Sequence, residues 1–200
     1  MNQNTSRFRK DKGSVLWGVL AAFGVLVLLV IIVAGAIIPR YNKVQELDEQ
    51  VNTAWAQVET VLQRRYDLIP NLVNTVKGFA NQEKEVLTEV TRLRSQWGEA
   101  RSTQQKAAVA SQMEGALGRL MLISENYPEL KSNTNFLSLQ SQLEGTENRI
   151  SVERRRYNET LRSYNIYVRK FPQNLLGFKV RDEYFESAAG AEKAPTVSFD

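Results

Sequence analysis

The chain begins with one long apolar segment. No charged residue occurs between Lys12 and Arg40, and residues 15–38 are almost entirely hydrophobic. A helix of this length measures about 36 Å, enough to cross a hydrocarbon core about 30 Å thick. The pattern predicts a transmembrane helix over 15–38. A cleaved signal peptide is the alternative, because Ala34-Gly35-Ala36 resembles a cleavage site. The apolar segment of a signal peptide is only about 7 to 15 residues long, which favours the uncleaved anchor.

After Pro39, apolar residues recur every three or four positions, a spacing typical of amphipathic helices. The first such helix is predicted to end near Pro70, because proline disfavours helical geometry in the residue before it. A second helix is predicted from there to Trp97, a turn over 98–103 and a third helix over 104–124. Asn126-Tyr127-Pro128 then interrupts the helical pattern.

The last predicted helix, residues 135–171, carries a strict seven-residue repeat. This interval predicts left-handed supercoiling of the coiled-coil type against neighbouring helices. The second set of seam positions includes Glu153, which needs a partner if it is buried. The aromatic segment 177–185 is predicted to pack back on the bundle. The residues of the repeat are Phe136, Leu143, Ile150, Tyr157, Tyr164 and Phe171.

These elements predict an all-α fold, in which an N-terminal transmembrane helix precedes an elongated antiparallel bundle of three or four helices. We expect four parts: a basic tail over 1–14, the anchor over 15–38, the bundle over 40–186 and a flexible C-terminal tail over 187–200. The final stretch is small and polar without periodicity, which is typical of disorder.

Composition limits the chemistry. The chain contains no Cys and no His, which excludes thiol nucleophiles, imidazole bases and the commonest zinc ligands. We therefore expect no catalytic residues, no metal and no cofactor. The net charge is +4, and most of the excess precedes the anchor, at Arg7, Arg9, Lys10 and Lys12. The remaining charges are nearly balanced, so we expect no nucleic-acid partner.

The basic residues near the anchor also predict its orientation. Four precede the apolar segment, whereas Arg40 and Lys43 are the basic residues that follow it closely. Positive residues favour the cytoplasmic side, so we expect a cytoplasmic N-terminus and a periplasmic or extracellular bundle.

Many short blocks along the chain resemble the LemA family of bacterial membrane proteins. They follow one another in order over nearly the whole sequence, and the basic tail departs most from the pattern. The blocks are Tyr41-Asn42, Ala54 to Glu59, Leu62 to Val73, Val76 to Ala80, Glu125 to Lys131, Asn135-Phe136, Leu139-Gln140, Glu144, Thr146 to Ile150, Arg155, Tyr157-Asn158, Tyr164-Asn165, Phe171-Pro172, Gly177-Phe178 and Tyr184-Phe185.

The resemblance implies a helical bundle on a single inner-membrane anchor and no reaction. It also implies partners among membrane proteins, including membrane protease complexes. We therefore expect a non-enzymatic scaffold or adaptor of the bacterial envelope that binds other envelope proteins and itself. The alternative is a carboxylate- and arginine-based enzyme, or an anion- or peptide-binding module, at a cluster of Arg64, Arg65, Asp67 and Glu147.

Three further sets of residues are candidates for structure or interaction. Glu83, Arg149 and Glu153 extend the charged cluster, with Glu83 predicted to pair with Arg64 or Arg65; interhelical ion pairing is the alternative to a binding site for the whole cluster. The loop at Asn126, Tyr127 and Pro128 could bind a partner or only order the fold. The alternating tail of Pro195, Val197 and Phe199 could add a strand to a partner's sheet or have no role.

Overall fold

A computed structural model describes the backbone of residues 8–185 and the side chains of residues 16–185. The predicted tail over 187–200 and its motif at Pro195, Val197 and Phe199 lie outside the described residues. The predicted all-α class is confirmed. The helices are α1 (Phe8–Lys77), α2 (Lys84–Glu99), α3 (Thr103–Ser124), α4 (Pro128–Lys131) and α5 (Thr134–Arg169), followed by a 3₁₀ turn at Gln173–Leu176.

Helix α1 is continuous for 70 residues, about 105 Å at 1.5 Å per residue. It passes through both Pro39 and Pro70, so the predicted helix end near Pro70 is wrong. A proline inside a helix removes one backbone hydrogen bond and costs about 3 kcal/mol. Around Pro70 this cost is offset by packing, because Tyr66, Ile69 and Val73 on either side are all buried.

The first turn of the bundle therefore lies at residues 78–83 rather than at Pro70. The amide of Ala80 donates to the carbonyl of Val76 at 2.8 Å, and the Ala80 side chain is fully buried. The predicted second helix is divided between the end of α1 and α2. The turn predicted over 98–103 and the third helix agree with the structure to within one or two residues.

The four long helices run up, down, up and down. Trp55 contacts Tyr157 while Arg65 pairs with Glu147, so residue numbers rise along α1 as they fall along α5. These two helices pack antiparallel, and α2 and α3 form a second hairpin beside them. Two capped ends stabilise the turns. Ser102 and Gln105 form a reciprocal capping box at α3, and Asn133 accepts from the Phe136 amide at α5.

The seven-residue repeat of α5 faces the core over most of its length. Phe136, Leu143, Ile150, Tyr157 and Tyr164 are buried, but Phe171 is 79% exposed and does not belong to the seam. The second set of seam positions consists of Leu139, Thr146, Glu153, Thr160 and Tyr167. In the C-terminal half the buried stripe moves by one residue, so that Leu161 and Val168 are buried in place of Thr160 and Tyr167. A straight helix drifts by about 20° per heptad, which explains this shift.

The segment after the 3₁₀ turn packs back on α1 and α5, as predicted. The side-chain amide of Asn158 donates to the Phe185 carbonyl and that of Asn165 to the Arg181 carbonyl, at 2.9 and 2.7 Å. Phe185 stacks on Trp55 with ring centroids 5.6 Å apart. The guanidinium of Arg181 pairs with Asp48 at 3.0 Å. This segment therefore covers the groove between α1 and α5.

The first part of α1 lies outside the bundle. Its large apolar side chains between Leu16 and Ile38 are 40% to 75% exposed, and they point in every direction around the helix. Within the described part of the chain, α1 is the one helix long and apolar enough to cross a membrane. Burial begins at Val44, which is fully covered.

Candidate functional site

Arg65 is a charged residue buried in the middle of the bundle. It lies on the inward stripe of α1, only 4% exposed, and its guanidinium forms an ion pair with Glu147 of α5. Its Nε and Nη1 groups have no hydrogen-bond partner among residues 16–185. Burying a cation is costly unless a counter-charge is close, so Glu147 is essential to this arrangement.

A second ion pair lies beside the first. Nη1 of Arg154 on α5 donates to Oε2 of Glu114 on α3 at 3.0 Å. The Arg154 guanidinium also lies 5.1 Å from the centroid of the Phe185 ring. We call Arg65, Glu114, Glu147 and Arg154 the charged centre. It joins α1, α3 and α5, and its two cations balance its two carboxylates.

Burial shifts the acid–base behaviour of the residues around the charged centre. Desolvation lowers the pKa of Arg65, and the nearby carboxylate of Glu114 partly opposes that shift. Burial raises the pKa of Tyr66 above its ordinary value, and it raises that of Tyr157 to about 12. Both tyrosines therefore stay neutral at physiological pH. Neither hydroxyl has a hydrogen-bond partner within the described part of the bundle.

An open groove of about 390 Å³ lies between α3 and α5 next to the charged centre. Leu117, Met121 and Leu143 give it an apolar floor, and Arg65 also lines it. Carboxylates of Glu114, Glu144 and Glu147 line its rim. The groove can hold a small extended segment. Glu114 and Glu147 are paired with arginines, so the exposed carboxylate of Glu144 is the lining group that favours a cation.

Several predicted members of the charged cluster lie elsewhere. Arg64 and Asp67 are exposed on the outer face of α1, where Asp67 accepts from Gln63 at 2.8 Å. Arg149 is exposed on α5. Glu153 is partly exposed and lies 3.6 Å from Arg156 on its own helix. The structure thus brings Arg65 and Glu147 together and leaves Arg64, Asp67 and Arg149 outside.

The predicted pairing of Glu83 with Arg64 or Arg65 is wrong. Its carboxylate accepts a hydrogen bond from the Tyr127 hydroxyl at 2.8 Å, and this bond raises the pKa of Tyr127. The contact ties the 78–83 turn to the loop at Asn126, Tyr127 and Pro128. Pro128 occupies the first turn of α4, where its missing N–H costs nothing. Asn126 and Pro128 are exposed.

Glu114 is the member of the charged centre that the sequence did not predict, whereas Arg154 belongs to the run of charges around Glu147, Arg149 and Glu153 on the last predicted helix. Arg154 is the first of three consecutive arginines. It is partly buried because it lies next to the buried stripe of α5, whereas Arg155 and Arg156 are exposed. Glu114 lies in α3, whose apolar pattern is weakened by Gly115 and Gly118. Within residues 16–185, no group of three or more carboxylates is arranged to hold a metal ion.

A further polar contact joins α1, α2 and α3 on the side of the charged centre nearer the apolar segment. Trp97 stacks on Tyr66 with ring centroids 4.5 Å apart, and its indole N–H donates to Gln63 at 3.2 Å. Lys106 lies 5.4 Å from the Trp97 ring and pairs with Glu59. These contacts fix the α2–α3 hairpin on α1.

Comparison with known proteins gives consistent results. The LemA family model matches residues 54–199, which include all four residues of the charged centre but not the apolar segment or Tyr41-Asn42. Magnetosome protein MamQ 2 of Paramagnetospirillum magneticum is 27% identical over 190 residues, covering 80% of this chain and 70% of its own length.

Magnetosome protein MamQ of Magnetospirillum gryphiswaldense is also 27% identical, over 202 residues that cover 86% of this chain and 73% of its own. Protein LemA of Metamycoplasma hominis is 24% identical over 162 residues, covering 80% and 74% of the two chains. Because the family model spans well over half of the sequence, this chain belongs to the LemA family.

Proposed function

We propose that this protein is a non-enzymatic, membrane-anchored scaffold of the bacterial envelope. It crosses the inner membrane once through the N-terminal part of α1, with the N-terminus inside and the bundle outside. Its bundle binds other envelope proteins and further copies of this chain. Family membership and one helix able to span a membrane support this proposal.

The observation that carries the proposal is the continuity of α1. One unbroken helix contains both the apolar segment and the longest element of the bundle. No flexible connection separates Ile38 from Val44, so the bundle is held at a fixed angle to the anchor. A rigid projection of this kind suits a protein that positions partners beside the membrane.

The outward face of α5 supplies a surface for a partner. Exposed arginines lie along it, and Val152 and Ile166, two heptads apart, are 56% and 45% exposed. A basic stripe with apolar contacts complements a protein surface that carries carboxylates. We define the basic stripe as Arg149, Arg155, Arg156, Arg162 and Arg169.

The scaffold is tested by extracting the full-length protein from native membranes in mild detergent and sizing its complexes. The double variant Arg155→Glu with Arg162→Glu reverses two charges of the basic stripe and is expected to release the partner. Mass spectrometry of the two complexes then identifies the partner as the protein that is present with the unmodified chain and absent with the variant. The matched control is Arg94→Glu with Arg101→Glu, which makes the same charge change at exposed positions away from α5.

The control pair should leave the complex intact. A native protein that runs as a lone monomer at its normal abundance would contradict the scaffold. Loss of the complex in both double variants would show that overall charge, rather than the stripe, holds the partner.

Orientation has its own test. Protease added to spheroplasts with intact inner membranes should cleave the bundle, because four basic residues before the apolar segment favour the cytoplasmic side. Protection of the bundle, with cleavage only after the membrane is opened, would reverse the topology.

A second candidate function is peptide binding in the groove beside the charged centre. The apolar lining of Leu117, Met121 and Leu143 favours it, and the exposed carboxylate of Glu144 favours a basic peptide. The geometry favours this over an enzyme, since Arg64 and Asp67 are too exposed to share a site with Arg65.

Short peptides test the groove. A Leu-Lys-Leu peptide should raise the unfolding temperature of the protein, because a ligand that binds only the folded state stabilises it. Leu-Glu-Leu should not. Replacing Glu144, an exposed rim residue, by Gln should reduce the shift, while Asp67→Asn on the outer face of α1 should not change it. Equal shifts with both peptides would exclude a charge-selective groove.

A further inference from the structure

After α5 the chain forms a loop before the segment that packs back on α1 and α5. This loop lies at the end of the bundle next to the apolar segment of α1. Tyr41 follows the apolar segment by less than one helical turn, and its ring lies 5.3 Å from that of Phe178. The 3₁₀ turn at Gln173–Leu176 contacts both α1 and α5. We call residues 170–178 the juxtamembrane loop.

Two large apolar side chains of this loop face outward. Phe171 is 79% exposed and Leu175 is 72% exposed, although both could pack inside a protein core. The loop that presents them is ordered by backbone hydrogen bonds. The Asn174 amide donates to the Lys170 carbonyl at 2.9 Å and the Leu175 amide to the Pro172 carbonyl at 3.0 Å.

Glycine completes this loop. Gly177 has a φ of +76°, a left-handed conformation that other residues rarely adopt, and it returns the chain toward Tyr41. The turn therefore holds Leu175 on the outside while Phe178 packs inward.

Charge around the loop matches a lipid surface. Between Arg169 and Arg181 the chain contains Lys170 and Lys179 and no acidic residue. Arg40 adds a cation on α1 at the end of the apolar segment. Exposed aromatic and aliphatic side chains flanked by Lys and Arg are typical of segments that lie in the headgroup region of a bilayer.

We propose that the juxtamembrane loop is a second membrane contact, with Phe171 and Leu175 inserted at the boundary between headgroups and acyl chains. The proposal rests on the anchoring of α1 in the same bilayer. The two contacts together fix the tilt of the bundle, because a single transmembrane helix can tilt in the bilayer and would carry the rigidly attached bundle with it.

The absence of cysteine makes a direct test possible, since each introduced cysteine is the one labelling site in the chain. Phe171→Cys and Leu175→Cys are labelled with an environment-sensitive fluorophore in the full-length protein. The protein is reconstituted in vesicles of phosphatidylcholine and phosphatidylglycerol, with and without lipid that carries a nitroxide near the headgroup. Both labels should lose more than half of their fluorescence to the nitroxide.

Two controls make the result specific. Leu122→Cys is the matched control, because Leu122 is also 72% exposed but lies on α3 close to Ser124, at the far end of the bundle. Its label should keep its fluorescence. Val27→Cys, in the middle of the apolar segment, should be quenched by nitroxide placed deeper in the acyl chain.

Quenching at Val27 without quenching at Phe171 and Leu175 would overturn the proposal and leave the anchor in place. Failure at Val27 would remove the membrane anchor and the proposed function with it. Labels at 171 and 175 that are shielded from a water-soluble quencher, yet untouched by the lipid nitroxide, would show that a second copy of the chain covers the loop, which also overturns the proposal.

Discussion

The two halves of α1 share one backbone and have opposite surroundings. Between Leu16 and Ile38 apolar side chains cover every side of the helix, and Trp17 and Leu28 are 75% and 57% exposed. From Val44 to Val76 the apolar side chains form one stripe, in which Val58 and Leu62 are fully buried. A helix that is apolar all round is suited to lipid, whereas a single stripe is suited to other helices.

The boundary between the halves is short. The first charged residue after the apolar segment is Arg40, and the first fully buried side chain is Val44. The helix continues through both positions. The guanidinium of Arg40 donates to the Ala36 carbonyl on the preceding turn. The change of surroundings therefore takes place within about one helical turn, without a loop.

The largest effect is expected when one leucine in each half of α1 is replaced by alanine. Leu62→Ala should lower the free energy of unfolding by roughly 2 to 5 kcal/mol, because it leaves a cavity among buried neighbours. Leu28→Ala should change the unfolding of the bundle by less than about 0.5 kcal/mol, because Leu28 lies outside the bundle. Denaturant unfolding in detergent, followed by tryptophan fluorescence in a Trp17→Phe background, reports on Trp55 and Trp97 alone.

Comparable losses from Leu62→Ala and Leu28→Ala would break the distinction. They would mean that the apolar segment packs on the bundle instead of facing lipid. The Trp17→Phe protein without further change provides the reference, and its midpoint should equal that of the unmodified chain.

A smaller change in stability is expected when a buried ion pair of the bundle is broken. The segment from 16 to 38 contains no ionisable residue, while the second half buries Arg65 against Glu147. Glu147→Gln should lower the free energy of unfolding by roughly 1 to 3 kcal/mol, because it leaves the buried guanidinium without its counter-charge. Chemical denaturation at neutral pH measures the loss.

Removing both partners is the control. Arg65→Met with Glu147→Leu should recover most of that stability, because apolar residues of similar size often replace a buried ion pair without loss. A double variant that is less stable than either single variant would show that the pair itself stabilises the bundle.

The sequence predicted the number of long helices better than their ends. Hydrophobic periodicity located α3 and α5 closely, because a buried stripe recurs with the period of the helix. Pro70 misled the prediction of the first helix end. The tendency of a proline to end a helix is outweighed here by the free energy of packing Tyr66, Ile69 and Val73 in the core. The real end at Lys77 does carry a local signal that the prediction did not use, namely a basic residue in the last turn followed by Gly78.

The charged centre could be predicted only in part. Arg65 stands on the inward stripe of α1 and Glu147 lies beside the buried seam of α5, so their meeting followed from the antiparallel packing of the two helices. Glu114 joins them from α3, whose rotation is set by contacts such as Lys106 with Glu59. Pairing among three helices depends on their relative rotation, and one sequence does not specify that rotation.

The smallest effect is expected from Tyr157→Phe on α5, which tests how the stability of the bundle depends on pH. Its ring is fully buried, and its hydroxyl has no hydrogen-bond partner in the part of the chain that the structure describes. Tyr157→Phe should therefore be neutral or up to about 1 kcal/mol stabilising at pH 7. Denaturant unfolding at a series of pH values measures this difference and its change with pH.

The pH dependence follows from the sign of the shift. Burial raises the pKa of Tyr157 to about 12 in the folded protein, from 10.0 in an unshifted tyrosine. Between these values the unfolded chain loses a proton that the folded protein keeps, so stability falls as pH rises from 10 toward 12. Tyr157→Phe should reduce that slope, and adding Tyr66→Phe should reduce it further, because burial raises the pKa of Tyr66 as well.

The apolar half of α1 has no group that titrates, so helical circular dichroism from residues 16–38 should persist in detergent while the bundle unfolds at high pH. An unchanged slope in the double tyrosine variant would assign the alkaline loss to other residues. Simultaneous loss of the residual helical signal would show that the two halves unfold as one unit, and the boundary near Arg40 would then separate surroundings but not stability.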